Sequence, residues 1–238
     1  MAEAMVADTG VEQLVAAIQR DVDLASLKLG EEFFYASLPL AVIDAVFSIG
    51  VTYESTSRTV RRWCEAQNPP WARRRSDSSE EHTLSAFIAI ARSMPFDDLA
   101  AKVFENRQRT SSRSGILKAE AAIVFAEALV RQDIERFADM QDTARVARAY
   151  TDILAIPGQR SGISWDYFLM LAGSDDYIKA DRMVCRYVGR AIGLSQPATP
   201  QVAKALLLDA AAMLKTSHPA VTPRALDYAI WSLQRDAA

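Results

Sequence analysis

Two short stretches carry the residue types best suited to chemistry. Leu154-Ala155-Ile156-Pro157-Gly158-Gln159-Arg160-Ser161-Gly162 sets a Pro-Gly turn between two helical patterns, and Ile178-Lys179-Ala180-Asp181-Arg182-Met183-Val184-Cys185-Arg186-Tyr187-Val188 follows shortly after with a single acid opening a third. Backbone amides of such a turn, at the start of a helix, can hold a phosphate, and a lone carboxylate can face a nearby sugar. That pairing points to chemistry on a DNA backbone. Asp181 has two readings, as a carboxylate that stabilises developing positive charge or as the N-cap of a helix carrying Val184, Val188 and Ile192, and the two roles are geometrically compatible.

Basic side chains supply the next signal. Arg58, Arg61, Arg62, Arg73, Arg74 and Arg75 lie between Thr56 and Arg75 against the single acid Glu65, and Arg107, Arg109 and Arg113 form a second group. Both groups can touch phosphates, and both also fit solvated faces and loops. Arg182, Arg186 and Arg190 recur at four-residue intervals, which puts them along one helix edge beside Asp181. His82 and His218 are isolated from each other and from acids, so neither supports a catalytic dyad or a metal site. Cys64 and Cys185 are too far apart in sequence for a thiolate zinc site or an iron-sulfur cluster and are expected as buried thiols. The net charge of -3 argues against a protein that coats nucleic acid indiscriminately.

These residues must be positioned by helices, because the periodic segments have helical spacing and strand-like alternation is absent. Val11, Leu14, Val15 and Ile18 form one face; Val42, Ile43, Val46 and Phe47 another; Ile123, Phe125, Ala126, Leu129 and Val130 a third. Ser37 is a plausible cap and Pro39 a first-turn proline for a helix towards Ser48, which Gly50 ends. A second helix through Val60 and Trp63 stops near Asn68-Pro69-Pro70, and an exposed loop runs on to Ser79. Further helices are expected at about 80–93, 97–106, 116–131, 134–140 and 142–155. Others are expected from Gly162 to Gly173, over 181–192 before Gly193, and over 200–215 and 223–234, the last two with proline in the first turn. With 238 residues, half of them hydrophobic, the chain can bury one substantial core or two small ones. No apolar run approaches the roughly 20 residues of a membrane helix, and the acidic start lacks the layout of a secretory signal, so a cytoplasmic protein is expected.

The order of these elements resembles the helix-hairpin-helix DNA glycosylase superfamily, the endonuclease III and alkyladenine glycosylase group. In that family the hairpin reads Leu-Pro-Gly-Val-Gly and the catalytic aspartate follows in a Val-Asp-Thr-His-Val-type segment. Ser48 to Thr52 sits where the family has a polar loop that enters the duplex. Ser114-Gly115-Ile116-Leu117-Lys118-Ala119 resembles its Tyr-Asn-Ser-Lys-Ala helix start, and Leu226-Asp227-Tyr228-Ala229-Ile230-Trp231 its C-terminal helix. The likeness spans roughly 37–231.

The resemblance implies an all-α fold of two lobes with a DNA cleft between them: a helical barrel over 37–172, and a second bundle from 1–36 with 173–238. It implies a monomeric DNA N-glycosylase acting on double-stranded DNA. The enzyme would flip a modified or damaged base out of the stack and hydrolyse its N-glycosidic bond, leaving an abasic site, with Asp181 catalytic. Gly158, Gln159, Arg160, Ser161 and Gly162 would hold the strand. Gly50, Val51 and Thr52 would enter the duplex, and Arg113 and Lys118 would add DNA contacts. Tyr53, Trp165 and Phe168 are the candidates for a base pocket. No cofactor is implied beyond a monovalent cation at the hairpin, and no metal. Members with lyase activity carry a lysine just after the hairpin. Gly162 stands there in this chain, with no lysine between Ala155 and Ile178, so lyase activity is not expected and Lys179 is the remaining covalent candidate. Arg160 replaces the second hairpin glycine, and Gly50 replaces a polar inserting residue; these departures point to an atypical target such as a hypermodified base of phage DNA. Two other classes fit the same residues: a helix-hairpin-helix DNA-binding protein without catalysis, and a helical protein-interaction domain, whose DNA binding would be undetectable or insensitive to salt.

Overall fold

A computed structural model of the chain describes residues 2–77 and 80–236, with side chains over 9–31, 33–77 and 80–235. The fold is all-α: among the described residues there is no strand, only isolated bridges between Tyr35 and Arg74 and between Arg109 and Leu117. No helix is long and apolar enough to cross a membrane. The chain divides into a central unit, Glu31–Gly173, and a second unit made of Met1–Gly30 with Ser174–Ala238. Residues 31–36 side with the central unit because the bridge to Arg74 and the Arg75 N–H bond to the Phe34 carbonyl tie them there.

The central unit is built round α2 (Leu38–Phe47), whose every residue is buried. A helix apolar on all sides has to be surrounded. Its neighbours α3 (Tyr53–Ala66), α4 (Leu84–Arg92), α6 (Lys118–Val130) and α8 (Ile163–Leu171) do this. Trp63 forms one aromatic knot with Trp71, Phe87 and Phe104, and Phe125, Trp165 and Phe168 form a second. The one acid of α2, Asp44, is buried, and its Oδ2 accepts from the hydroxyls of Tyr35 (2.8 Å) and Tyr167 (3.4 Å). Burial, and then the Asp44 charge, hold the Tyr35 hydroxyl well above the usual phenol range, so it stays a donor.

Local signals explain most boundaries. Thr52, Thr83, Asp142, Asp181 and Thr199 each accept a first-turn amide at a helix N-terminus, the last opening α10 (Pro200–Lys215). Ser37 occupies the N-cap of α2, but its hydroxyl makes no cap bond and is buried without a partner. The helix expected over 97–106 is instead a short turn, α5 (Phe96–Asp98), running into a π-helix over Leu99–Val103, and that over 134–140 is a 3₁₀ turn, Phe137–Gln141. Regular spacing cannot register either departure, because a segment of little more than one turn is too short for its period to separate the helix types. Ser78 and Ser79 of the Arg-rich loop lie outside the described residues.

In the second unit α1 (Ala2–Asp21) packs on α10, and α9 (Arg182–Ala191) packs on both α10 and α11 (Pro223–Asp236). Leu14, Ile18, Val188, Leu207, Leu226 and Ile230 centre its core.

Candidate nucleic-acid interface and carboxylate pair

The hairpin lies between α7 (Thr143–Ala155) and α8. Its two left-handed positions are Gly158 (φ +86°) and Gly162 (φ +74°), and Arg160 is not left-handed. The turn between the helices thus places its left-handed residues four positions apart, and Arg160 sits between them without backbone strain. The Gln159 N–H donates to the Ile156 carbonyl (2.9 Å) and the Gly162 N–H to the Gln159 carbonyl (3.0 Å). The amides of Gly158, Arg160 and Ser161, all exposed residues, have no protein acceptor among the described residues. At the next step Gly162, the N-cap of α8, offers no side chain to the first-turn amides, of which the Ile163 N–H donates to the Ser161 hydroxyl at 3.5 Å. Unengaged amides at the positive end of a helix are what an anion binds.

Gln159 turns the other way. Its side chain is buried and accepts a bond from the Ser164 hydroxyl, so it holds the turn from inside and does not face a strand. The carbonyls of Ile156, Pro157 and Gln159 each accept a hydrogen bond within the protein. The amides of Gly158, Arg160 and Ser161, by contrast, are left without a protein partner among the described residues.

Two ties join the hairpin to the other candidate loops. The Thr110 hydroxyl donates to the Pro157 carbonyl (2.6 Å), and Gly158 lies so close to Thr110 that an added Cβ would come within 2.6 Å of its side chain. Thr110 belongs to a tight loop closed by the Arg109–Leu117 bridge, with Arg113 exposed in the loop. At the base of that loop Lys118 is buried, its Nζ donating to the carbonyls of Phe47 (3.0 Å) and Ile49 (2.8 Å) and to Oε1 of Gln108 (3.3 Å). This corrects the DNA contact expected of Lys118: the ammonium is engaged internally and holds the end of α2, just before Gly50-Val51-Thr52, against the Arg113 loop. Gly50 and Thr52 are exposed, Thr52 also capping α3, while Val51 and Tyr53 are half-buried.

Trp165 and Phe168 are corrected as well. Both are buried in the second aromatic knot, leaving Tyr53 as the pocket candidate beside the loop. Several arginines turn inward or onto neighbours. Arg73 donates to Ser57 (2.6 Å), Arg75 lies over the Phe137 ring at 4.7 Å, and Arg109 donates to the Gly115 carbonyl (2.8 Å). Arg182, Arg186 and Arg190 are exposed on α9. His82 stacks on Trp71 at 4.1 Å, and no group of acids, histidines or cysteines able to hold a metal occurs among the described residues.

In the second unit Asp181 caps α9. Its Oδ1 accepts from the N–H of Met183 (2.8 Å) and Val184 (3.2 Å), and Oδ2 has no protein partner among the described residues. Sequence reasoning missed its neighbour Asp227, which is buried in α11 and accepts from the Lys179 N–H at 3.0 Å. Burial pushes the Asp227 carboxyl well above the usual carboxylate range, and the Asp181 charge pushes the same way against Lys179. The signal available in the sequence was an acid inside the apolar pattern of Leu226 and Ile230. An acid engaged through a single oxygen, close to a buried acid whose carboxyl is raised, is the kind of pair that recurs at acid–base sites.

No curated protein and no solved structure matches the chain. A family model described as a domain of unknown function, DUF8548, matches residues 12–235, and the chain belongs to that family.

Proposed function

We propose that this protein is a monofunctional DNA glycosylase: it binds duplex DNA through the Gly158–Gly162 turn and hydrolyses the N-glycosidic bond of a flipped, modified or damaged base. The observation that carries the reading is the chain of ties within the central unit. Lys118 joins the Gly50–Thr52 loop to the Arg113 loop, and Thr110 joins that loop to the hairpin. Three segments with the chemistry of strand contact are thus held on one framework although they are far apart in sequence.

In the proposed reaction the amides of Gly158, Arg160 and Ser161 and the N-terminus of α8 hold a phosphate. Arg113 adds charge beside them, and the Gly50–Thr52 loop fills the vacated stack. As the glycosidic bond lengthens, positive charge grows on the deoxyribose. Asp181 Oδ2 stabilises it and orients the attacking water. Oδ1 meanwhile keeps the carboxylate in place through the α9 cap. Asp227, its carboxyl raised by burial, anchors the backbone two residues before Asp181 by accepting the Lys179 N–H. A hypermodified base is the substrate that Arg160 in the turn and Gly50 favour.

Asp181→Asn tests the chemistry, because asparagine caps helices as well as aspartate and the fold is retained. Mass spectrometry of bases released from duplexes carrying different modifications, phage DNA included, should show release by the native protein and none by the variant. Undiminished release by Asp181→Asn would refute the assignment. The double use of Asp181 Oδ1 as a helix cap favours a second reading, a helix-hairpin-helix DNA-binding protein without catalysis. Salt-dependent duplex binding without release of any base selects it.

A further inference from the structure

A cleft of about 330 Å³ opens in the central unit between α3 and the residues that follow the π-helix, outside the hairpin and the carboxylate pair. Arg58 and Arg62 line it from α3, and Asn106 and Arg107 from the other wall, so positions nearly fifty apart in sequence converge. Their states differ. Arg62 is fully engaged, donating to the carbonyls of Phe104 (3.4 Å) and Glu105 (3.2 Å) and pairing with the Glu105 carboxylate at 2.6 Å. Arg58 and Arg107 are exposed, and neither makes an ion pair or side-chain hydrogen bond among the described residues. The Asn106 amide donates to the Thr59 hydroxyl (3.2 Å), which joins the two walls.

The backbone of the second wall is held in an uncommon shape. After the π-helix Leu99–Val103, Glu105 adopts φ +45°, and the Asn106 N–H closes back to the Ala100 carbonyl at 2.8 Å. A left-handed non-glycine residue is strained and persists only where surrounding contacts over-determine it. Here the contacts are those of Arg62. They hold the turn that delivers Arg107 to the cleft opposite Arg58, and π-type insertions recur at functional positions.

We propose that this cleft binds a backbone phosphate of the nucleic acid, a second contact separate from the hairpin and flanking the Gly50–Thr52 loop. The proposal rests on the DNA-binding reading. Two guanidinium groups without an ion pair or side-chain hydrogen bond among the described residues, on facing walls, match the several acceptor oxygens of a phosphate, which their planar donors can bind bidentately. Arg58 lies six residues beyond Thr52, about 9 Å along α3. At about 3.4 Å of rise per nucleotide, that is two to three steps from the point where the loop meets the strand. The cleft walls are polar, as a solvated charged group needs and a flipped base does not.

Salt-dependent duplex binding tests the assignment. Arg58→Ala and Arg107→Ala should each lower the slope of log affinity against log salt by about one, and weaken binding roughly eightfold at about 0.1 M salt. Arg61→Ala, exposed on the same helix outside the cleft, should leave both unchanged. Native slopes in both cleft variants, with Arg160→Ala in the hairpin still weakening binding, would overturn the cleft and leave the DNA reading intact. No duplex binding by the native protein would overturn the DNA reading itself. Thermal stabilisation by inorganic phosphate that both cleft variants abolish, with duplex affinity unaltered, would assign the cleft to a free phosphorylated ligand and also overturn the proposal.

Discussion

Gly158→Ala is the most informative perturbation of the hairpin, because two costs can be separated. The residue sits at φ +86°, where an alanine pays a conformational penalty of about 1–2 kcal/mol. Its Cβ would also stand 2.6 Å from the Cβ and Oγ1 of Thr110 and 2.9 Å from the Thr110 carbonyl, distances at which one backbone must move. Movement breaks the 2.6 Å bond from Thr110 to Pro157, a further loss of about 1 kcal/mol. Gly50→Ala supplies the reference: its φ is +73°, but an added Cβ meets nothing within 4 Å, so only the conformational part applies. Gly158→Ala should therefore destabilise by about 2–4 kcal/mol, a fall in Tm on the order of 5–10 °C, and Gly50→Ala by about half as much or less. Thermal unfolding of both, with Thr110→Gly and the Thr110→Gly/Gly158→Ala double variant, completes a cycle in which removing the Thr110 side chain should recover part of the Gly158→Ala loss. Equal destabilisation by Gly158→Ala and Gly50→Ala, or strict additivity in the cycle, would show that the hairpin is not pressed against the Thr110 loop and would refute the framework inferred for the three loops.

Lys118→Met leaves the carbonyls of Phe47 and Ile49 and the Gln108 amide oxygen without their buried donor, and should cost about 3 kcal/mol in denaturant unfolding, with faster amide exchange over residues 49–52. Native stability in that variant would contradict the internal role assigned to the ammonium. Asp227→Asn keeps the acceptor for the Lys179 N–H and should raise stability at neutral pH. The Asp227 carboxyl is raised on folding, so the folded state holds a proton that the unfolded chain releases above its ordinary carboxylate range near pH 4. The destabilisation is absent below that range and grows as pH rises, so the gain from asparagine should shrink towards pH 4. A pH-independent difference, or a less stable variant at pH 7, would count against a raised Asp227 carboxyl.

What the sequence determined was local. Asp181 as a cap, Pro200 and Pro223 in the first turns of their helices, and Gly158 in the Pro-Gly turn could be read because each depends on neighbours a few residues away. Helical periodicity likewise announced the all-α class, since an apolar face must recur at the helical interval to be buried. Tertiary structure decided the partners of long side chains. Lys118 and Arg58 are both cations on helical segments, yet one is sealed under the carbonyls of Phe47 and Ile49 and the other lines an open cleft. Trp165 became core because Phe125 arrived beside it, and the Asp227 carboxyl was raised because an apolar core and then the Asp181 charge closed round it. Periodicity records which face of a helix is apolar, but the free energy of a charge depends on the dielectric and counter-charges that distant segments bring to it, and these exist only after the chain has folded.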